Sequence, residues 1–235
     1  MIEVSTEGGV CRVTLQRAQV GNALDAAVVE LLIAAVDEAL GERDVHTLVL
    51  GGAGRHFCTG FDLSDLDTAS DGDLLSRFVR IETLLQTLWH APIRSVAIAQ
   101  GRTFGAGADL FACCDVRIAD PATTFAFPGA RFGLVLGTRR LAERVGTDRA
   151  RRIVTEGESL NAEAALACGF VTALGGEELL AALPAPVADR ETVAQLRAAT
   201  RVDHRDADLA ALVRSAARPG VQARIADYVR RLRGS

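Results

Sequence analysis

The feature that most constrains this chain is a glycine-rich turn that joins an apolar strand to a helix. Residues 95–99 are apolar and β-branched, which predicts a buried strand, and residues 106–114 are rich in Ala and Leu, which predicts a helix. Gly105 and Gly107 lie at the junction and leave no side chain to block a close approach. The first N–H groups of such a helix have no partner within it, so they can bind an anion or a developing oxyanion. A tight strand-to-helix connection without a ligand is the alternative interpretation of this turn on its own.

Length and charge limit the classes of protein to which the chain can belong. A chain of 235 residues forms one large domain, or a domain with a small appendage. Its net charge of -4 gives no reason to expect nucleic acid as a partner. All 26 basic residues are Arg, which excludes a Walker A phosphate loop and a Schiff base because both need Lys.

The cysteines and the apolar runs indicate a cytoplasmic protein. The five cysteines are odd in number and lack CxxC spacing, which is typical of reduced thiols packed as small apolar residues. No basic-then-apolar leader opens the chain, and no apolar run approaches the ~20 residues of a membrane span. Because no such run occurs, we expect no membrane contact. No HExxH motif or paired Cys/His spacing occurs either, so we expect no bound metal.

The hydrophobic pattern predicts alternating strands and helices, followed by a wholly helical end. Two alternating segments around Gly8-Gly9 predict a β-hairpin, and Asp25 stands where the N-cap of the next helix would lie. The acidic residues 64–73 include few apolar side chains, which predicts a mobile surface loop. Alternation over the first ~140 residues predicts an α/β core of repeated strand-strand-helix units. The predicted strands are 2–7, 10–16, 47–50, 95–99, 115–119 and 124–126, and the predicted helices are 26–40, 74–89, 106–114, 139–145, 148–156, 162–168, 177–183, 191–200, 207–217 and 221–232.

A second glycine turn, which follows an earlier apolar strand, makes the pattern more specific. Residues 48–63 read Leu-Val-Leu-Gly-Gly-Ala-Gly-Arg-His-Phe-Cys-Thr-Gly-Phe-Asp-Leu, and the motif Gly21-Asn22-Ala23-Leu24 precedes them. The segments 95–101, 105–110, 114–119, 155–165 and 169–171 continue the pattern in the same order. With these motifs, which span most of its length, the chain resembles the enoyl-CoA hydratase/isomerase, or crotonase, superfamily.

The resemblance implies an α/β fold with a spiral core of ββα units over residues 1–185 and a C-terminal helical region over residues 186–235. In that family the helical region packs trimers, often paired into hexamers, so a homotrimer or a dimer of trimers is the expected assembly. The implied ligand is an acyl-CoA thioester, with coenzyme A as part of the substrate and no separate cofactor. By position, the N–H groups of Phe61 and Ala106 would polarise its carbonyl, and losing one such donor typically costs roughly 3 kcal/mol of barrier. A buried loop aromatic is the alternative interpretation of Phe61.

The same resemblance assigns contacts to the acyl chain and to coenzyme A. With Lys absent, Arg17 and Arg55 are the candidates to meet the phosphates, since Arg binds phosphate bidentately. Ordinary surface charges are the alternative interpretation of both. For Asp62, hydrogen bonds that hold the loop are favoured over a chemical role. The expected substrate contacts are Ala23, Leu24, Gly60, Asp62, Leu63, Gly105, Pro128 and Gly129.

The acid–base residues depart from the family pattern. Hydratases of the family place a water between two Glu residues, and here the first position is Asp109 and the second is Gly129. Because Gly has no titratable group, hydration with two carboxylates cannot proceed as it does in those relatives. Asp109 is the candidate base, and complementing the helix dipole is its alternative role. Glu82, His56 and Arg131 could also enter the pocket, although we interpret Glu82 as a solvated helical residue and His56 as a surface residue.

Two functional hypotheses follow from these residues. The first is an enzyme that isomerises, hydrolyses, decarboxylates or hydrates an acyl-CoA through an enolate without both glutamates. The second is a catalytically degenerate relative that binds an acyl-CoA or a partner subunit without turnover. The loss at Gly129 favours the second hypothesis, and the intact glycine turns favour the first. A Rossmann dinucleotide site is excluded because the turn lacks the third glycine and does not follow the first strand.

Overall fold

The computed structural model describes residues 1–233, which form nine strands and ten α-helices. The strands are β1 (Ile2–Glu7), β2 (Val10–Leu15), β3 (Thr47–Gly52), β4 (Arg94–Ala99), β5 (Arg102–Phe104), β6 (Val116–Ala119), β7 (Thr124–Ala126), β8 (Leu160–Asn161) and β9 (Ala173–Leu174). The helices are α1 (Ala26–Gly41), α2 (Asp71–Trp89), α3 (Ala106–Cys113), α4 (Thr138–Val145), α5 (Thr147–Glu156), α6 (Ala162–Ala167), α7 (Glu177–Ala181), α8 (Arg190–Thr200), α9 (Arg205–Ala216) and α10 (Val221–Arg233).

Two sheets organise the described residues. The larger sheet has the order β1-β2-β3-β4-β6-β9, in which β1 and β2 form the predicted antiparallel hairpin and the other pairs are parallel. A smaller sheet joins β5, β7 and β8. The central strands β3 and β4 are buried and nearly continuous in apolar residues, as expected of parallel strands covered on both faces. The predicted α/β core of strand-strand-helix units is therefore present.

Local capping explains where the long helices begin. The side chain of Asp25 accepts a hydrogen bond of 2.8 Å from Val28 N, which confirms the predicted N-cap of α1. Helix α2 begins at Asp71, one turn before the predicted start at residue 74, because Ser70 and Asp73 form a capping box. The first turn of α2 was not predicted because its residues, Asp71, Gly72 and Asp73, are not apolar and add nothing to the hydrophobic period.

Helix α3 lies at the centre of the molecule, and all eight of its residues are buried. Most of its residues, including Leu110 and Phe111, belong to the main buried apolar cluster, which is the pattern of a core helix rather than of an amphipathic surface helix. The strand β5 was not predicted, because its three residues fall inside the stretch that we interpreted as a simple turn.

The prediction of a wholly helical end is wrong in two places. The two-residue strands β8 and β9 interrupt the helices and pair with β7 and β6. Pairing to an existing strand edge creates them, and two residues carry no periodicity of their own.

The last two helices pack against the core. Leu212 of α9 and Ile225 of α10 share a buried cluster with Leu74 and Phe78 of α2 and with Leu66. Leu66 belongs to the acidic segment 64–73 that was predicted to be a mobile loop. Residues 64–70 form neither helix nor strand, residues 71–73 are the first turn of α2, and Leu66 gives the segment a buried apolar contact. The division at residue 185 into a core and a helical region stays a prediction. Within residues 1–233, no helix is both long enough and apolar enough to cross a bilayer.

Candidate active site

Two loops meet at one end of the sheet and form the candidate site. The first loop follows β3, and its residues 58–62 lie between residue 24 and β5. Leu24 N donates to Gly60 O (2.8 Å), and Leu24 O accepts from Asp62 N (3.0 Å). On the other side, Phe104 N donates to Cys58 O (3.0 Å). The second loop leads from β5 into α3, so these hydrogen bonds place the two loops side by side.

Glycines allow the two loops to approach backbone to backbone. A Cβ atom on Gly60 would lie 2.7 Å from Phe104 O and 3.4 Å from Ala106 N. A Cβ atom on Gly107 would lie 2.3 Å from Cys58 O. A side chain at either position would therefore push the N-terminus of α3 away from the first loop, and only Gly is compatible with the observed packing.

The amides of Phe61 and Ala106 are free donors at this junction. Neither N–H donates a hydrogen bond to an acceptor within residues 1–233, and the N-cap of α3 is Gly105, which has no capping side chain. Phe61 and Ala106 line the same cavity. Two backbone donors without internal acceptors thus belong to residues that line one cavity.

The cavity between the loops is mainly apolar, with a volume of about 250 Å³. Its wall includes Leu63, Gly105, Pro128 and Gly129, which were predicted to contact the substrate. Aromatic rings contribute much of the remaining wall, and α10 closes one side with Ile225, Tyr228 and Leu232. The aromatic residues of the wall are Phe61, Phe78, Phe104, Phe127, Phe132 and Tyr228.

Asp109 supplies the one carboxyl among the described residues that line this cavity. The side chain is 5% exposed, and its Oδ1 atom has no hydrogen-bond partner within residues 1–233. Burial raises its pKa from 3.8 to about 8; Arg140 opposes this increase and Glu82 adds to it. The carboxyl is therefore mostly protonated at pH 7, and it accepts a proton readily only as the pH approaches 8.

Gly137, the residue before α4, makes the space that Asp109 occupies. A Cβ atom on Gly137 would lie 1.9 Å from Asp109 Oδ1, inside the carboxyl group. Its φ of +66° is also a conformation that L side chains rarely adopt. The sequence gives no sign of this role of Gly137, because its partner Asp109 lies 28 positions earlier in the chain.

Gly129, where hydratases of the resembled family have their second Glu, lies in the cavity wall. Its φ is not positive, and a Cβ atom would meet Leu134 O and Leu134 Cβ at 3.6 and 3.8 Å, which are ordinary contacts. The backbone therefore does not require Gly at this position.

The residues predicted to bind coenzyme A are not among those that line the cavity. Arg17 forms ion pairs with Asp62 (2.9 Å) and Asp25 (3.1 Å), so its guanidinium already has partners, whereas Arg55 is exposed. Burial opposes the ionisation of Asp62, but hydrogen bonds from Ser64 and Arg17 outweigh it and lower the pKa. Contacts of Arg17 and Arg55 with phosphate stay predictions.

Backbone groups that we expected to contact the substrate are used inside the protein. Both backbone groups of Leu24 pair with the first loop, and Ala23 O accepts from the Arg17 side chain. The structure thus gives these groups internal partners, and those of Leu24 lie tens of residues away in the sequence.

Asn22 holds the first loop from behind. It is fully buried, with a φ of +56°, a value that Asn tolerates better than most residues. Its amide nitrogen donates to Ala53 O (2.9 Å) and His56 O (2.7 Å), and its Oδ1 accepts from Arg17 N (2.9 Å). The two hydrogen bonds to Ala53 O and His56 O fix the loop that contains Phe61, and the third ties Asn22 to Arg17.

The other three candidate groups do not line the cavity. The interpretation of Glu82 as a solvated residue is wrong, since the residue is 1% exposed and forms an ion pair with Arg140. His56 Nδ1 accepts a hydrogen bond from Arg102 N (3.0 Å) and fixes the turn. Arg131 is exposed and donates to Gly157 O. A burial pattern on α2 could have indicated Glu82, which lies among the buried residues Ile81, Leu84 and Leu85.

We predict that Gly137→Ala displaces the Asp109 carboxyl and destabilises the fold, because the new methyl group overlaps Oδ1. Gly8→Ala is the matched control, since Gly8 also has a positive φ (+56°) but no atom within 4 Å of the new methyl group. Thermal unfolding compares the two variants. A loss of stability no larger in Gly137→Ala than in Gly8→Ala would contradict the close contact.

We also predict that Asp109→Asn stabilises the protein increasingly as the pH rises. The folded-state pKa of about 8 lies above the ordinary value of 3.8, so the folded state binds this proton more tightly than the unfolded chain. This contribution to stability is complete below about pH 4 and is lost as the pH rises through about 8. The difference in free energy of unfolding between Asp109→Asn and the natural chain should grow over that range and then level off. A difference that is independent of pH from 4 to 9 would contradict a raised pKa.

Comparison with known proteins identifies the family. The family model of enoyl-CoA hydratase/isomerase matches residues 5–206. A solved structure of an enoyl-CoA hydratase/isomerase from Bordetella parapertussis is 46% identical, with a TM-score of 0.94 over 97% of this chain and 98% of that chain. A structure of an enoyl-CoA hydratase from Mycobacterium avium subsp. paratuberculosis is 26% identical, with a TM-score of 0.81 over 97% of this chain and 96% of that chain.

A curated relative from Mycobacterium tuberculosis, named "Probable enoyl-CoA hydratase echA6", is 34% identical over 178 residues, which cover 74% of this chain and 71% of the relative. These matches agree with the mixed α/β fold, the helical C-terminal end and the order of the motifs described above. The chain therefore belongs to the enoyl-CoA hydratase/isomerase family and has the crotonase fold.

Proposed function

We propose that this protein isomerises an enoyl-CoA thioester, with Asp109 moving the proton and the amides of Phe61 and Ala106 stabilising the enolate. The observation that carries the proposal is the single carboxyl in the described wall of the cavity, close to the N-terminus of α3. One group that both removes and returns a proton is sufficient for a shift of a double bond. Hydration as the family performs it needs a second carboxylate, and Gly129 cannot supply one.

The two amides act on the thioester carbonyl. When a proton leaves the acyl chain, its bonding electrons move toward the carbonyl oxygen, which gains negative charge as an enolate. Donors that already point to that oxygen stabilise it without reorganisation, and each is typically worth roughly 3 kcal/mol of the barrier. Because the donors are backbone groups, the proposal requires no particular side chain at positions 61 and 106.

Asp109 is suited to the proton transfer because its pKa of about 8 is close to neutral pH. The carboxylate takes a proton from one carbon of the acyl chain, and the resulting acid returns a proton to the carbon at the other end of the allylic unit. About one molecule in ten has the carboxylate form at pH 7, so the rate should rise with pH until the pKa is passed. This role keeps Asp109 as the base of the sequence hypothesis and adds that it also acts as the acid.

The wall of the cavity indicates an apolar acyl group. Six aromatic side chains and several aliphatic ones surround the space beyond Asp109, and a cavity of about 250 Å³ exceeds the ~150 Å³ that holds a benzene molecule in an engineered core. In this proposal coenzyme A extends outward past Arg55 as part of the substrate, with no separate cofactor. A homotrimer or a dimer of trimers in the cytoplasm remains part of the proposal.

We predict that the protein converts trans-3-hexenoyl-CoA to the 2-enoyl isomer and that Asp109→Asn abolishes turnover without abolishing binding. The amide keeps the size of the carboxyl but cannot move a proton. Absorbance of the conjugated product measures turnover, and calorimetry with acetoacetyl-CoA measures binding. Glu143→Gln, an exposed carboxylate on α4, is the matched control with unchanged rate. Full turnover by Asp109→Asn would assign the proton transfer to another group.

The second candidate function is acyl-CoA binding without turnover, and Gly129 is the observation that favours it. In that case acetoacetyl-CoA binds, while no 3-enoyl-CoA is converted and no deuterium enters the acyl chain from heavy water. Absence of measurable binding at millimolar acetoacetyl-CoA would contradict both candidates.

We predict that Gly129→Glu introduces hydration of crotonyl-CoA. The backbone at Gly129 accepts a side chain, and the new carboxyl would face the cavity that holds Asp109. Gly129→Gln is the control, because it has the same size and no carboxyl. Equal hydration by the two variants, or none by either, would show that position 129 does not face the reacting carbons.

A further inference from the structure

A buried ion pair lies behind the wall that contains Asp109. Glu82 of α2 and Arg140 of α4 are 1% and 2% exposed, respectively. Arg140 Nη1 donates to Glu82 Oε1 (3.1 Å), and a second hydrogen bond joins Nη2 to Oε2. Asp208 of α9 accepts from Arg140 Nη1 at 3.2 Å. Neither member of the pair lines the cavity, so substrate contact does not explain them.

The helices connect this pair to Asp109. Helix α3, which carries Asp109, packs against both α2 and α4. Gly137, which contacts Asp109 Oδ1, is the N-cap of α4, and Arg140 follows in the first turn of the same helix. Arg140 Nε is buried and has no acceptor within residues 1–233. The cation Arg140 and the anion Glu82 therefore lie close to the Asp109 carboxyl, whose Oδ1 has no hydrogen-bond partner among the described residues.

We propose that the Glu82–Arg140 ion pair is a positioning element that sets the charge state of Asp109 through space. The inference rests on the proposed role of Asp109 in proton transfer. Charges act strongly over short distances in a buried site, because little water screens them. A buried ion pair is weak evidence for stability, since apolar residues of similar volume are often as stable. An effect on Asp109 would explain why two charged residues are kept in the core at this position.

The electrostatic effects on Asp109 agree with this arrangement. Burial raises its pKa most, Arg140 lowers it, and Glu82 raises it by less than Arg140 lowers it. The pair as a whole therefore favours the carboxylate form of Asp109. Arg140 alone favours the carboxylate, and Glu82 alone favours the protonated acid. Removing Glu82 alone should then lower the pKa of Asp109, whereas removing both Glu82 and Arg140 should raise it.

Among the described residues, Arg140 and Glu82 are the charges that act on Asp109, and the nearby Arg144 of α4 donates instead to Ala112 O and Cys114 O at the C-terminal end of α3. Strand β5 presents the buried hydroxyl of Thr103 toward the core, and the exposed Arg102 acts on His56 instead. On α3 itself, burial raises the pKa of the Cys113 thiol to about 12, so it stays neutral. Asp208 acts on this group of charges through Arg140, and it also pairs with Arg139.

The test is an infrared titration of the Asp109 carboxyl from pH 5 to 10 in the full chain without substrate. The spectrum of the matching Asp109→Asn protein is subtracted, so that only this group contributes. Glu82→Gln should move the titration midpoint down by about one pH unit, because the cation then acts without its counter-charge. The double variant Glu82→Leu/Arg140→Met should move the midpoint up, and Glu143→Gln should leave it unchanged.

The double variant also guards against a folding failure. Glu82→Gln leaves Arg140 with less compensation in the core, whereas the double variant removes both buried charges, and Asp208 keeps Arg139 as its partner. Shifts of the same sign in both variants, or no shift in the double variant, would overturn the inference. A merely structural pair predicts no such change of sign.

The pH dependence of isomerisation separates this inference from the proposed function. If both hold, the pH–rate profile of Glu82→Gln moves with the infrared midpoint. Shifted midpoints without any isomerisation contradict only the proposed function. Unmoved midpoints in an active enzyme contradict only the role of the ion pair.

Discussion

The close approach of two backbone segments is the constraint on which the rest of the site depends. The first loop passes the N-terminus of α3 so closely that Gly60 and Gly107 have no room for a Cβ atom. At this distance the segments leave the amides of Phe61 and Ala106 without internal acceptors, at the positive end of a helix. Hydrogen bonds from Leu24 and Phe104 N hold the first loop in place, and Asn22 supports it from behind.

The second constraint is the burial of a carboxyl beside this junction. Raising the pKa of Asp109 from 3.8 to about 8 corresponds to a cost on the order of 6 kcal/mol for the ionised form. Gly137 provides the space and the Glu82–Arg140 pair provides nearby charge, so elements distant in the sequence define one group. Burial in the apolar cavity therefore gives Asp109 a pKa close to neutral pH, the range in which a side chain can exchange a proton most readily.

Local chemistry explains which parts of the fold were predictable. The hairpin, the N-cap of α1 and the central strands follow from turn residues, caps and apolar runs that lie within a few positions of one another. The start of α2 is also local, but the polar residues of its capping box carry no hydrophobic period. The missing β5 and the short strands β8 and β9 depend instead on a partner strand elsewhere in the chain, and two or three residues leave no periodic pattern. Glu82 was interpreted as solvated although its neighbours on α2 are buried apolar residues, and its partner Arg140 is 58 positions away.

The sequence by itself indicated the family and the order of the longer strands and helices, since both depend on glycine turns and apolar runs that act locally. It also determined that position 129 has no carboxyl and that Asp109 stands in the first turn of α3. Only the tertiary structure decided that Asp109 is buried without a partner, that Arg17 is already paired, and that Glu82 lies in the core. Burial and charge pairing arise when distant segments pack together, so the environment of a side chain is a property of the fold, whereas its identity belongs to the sequence.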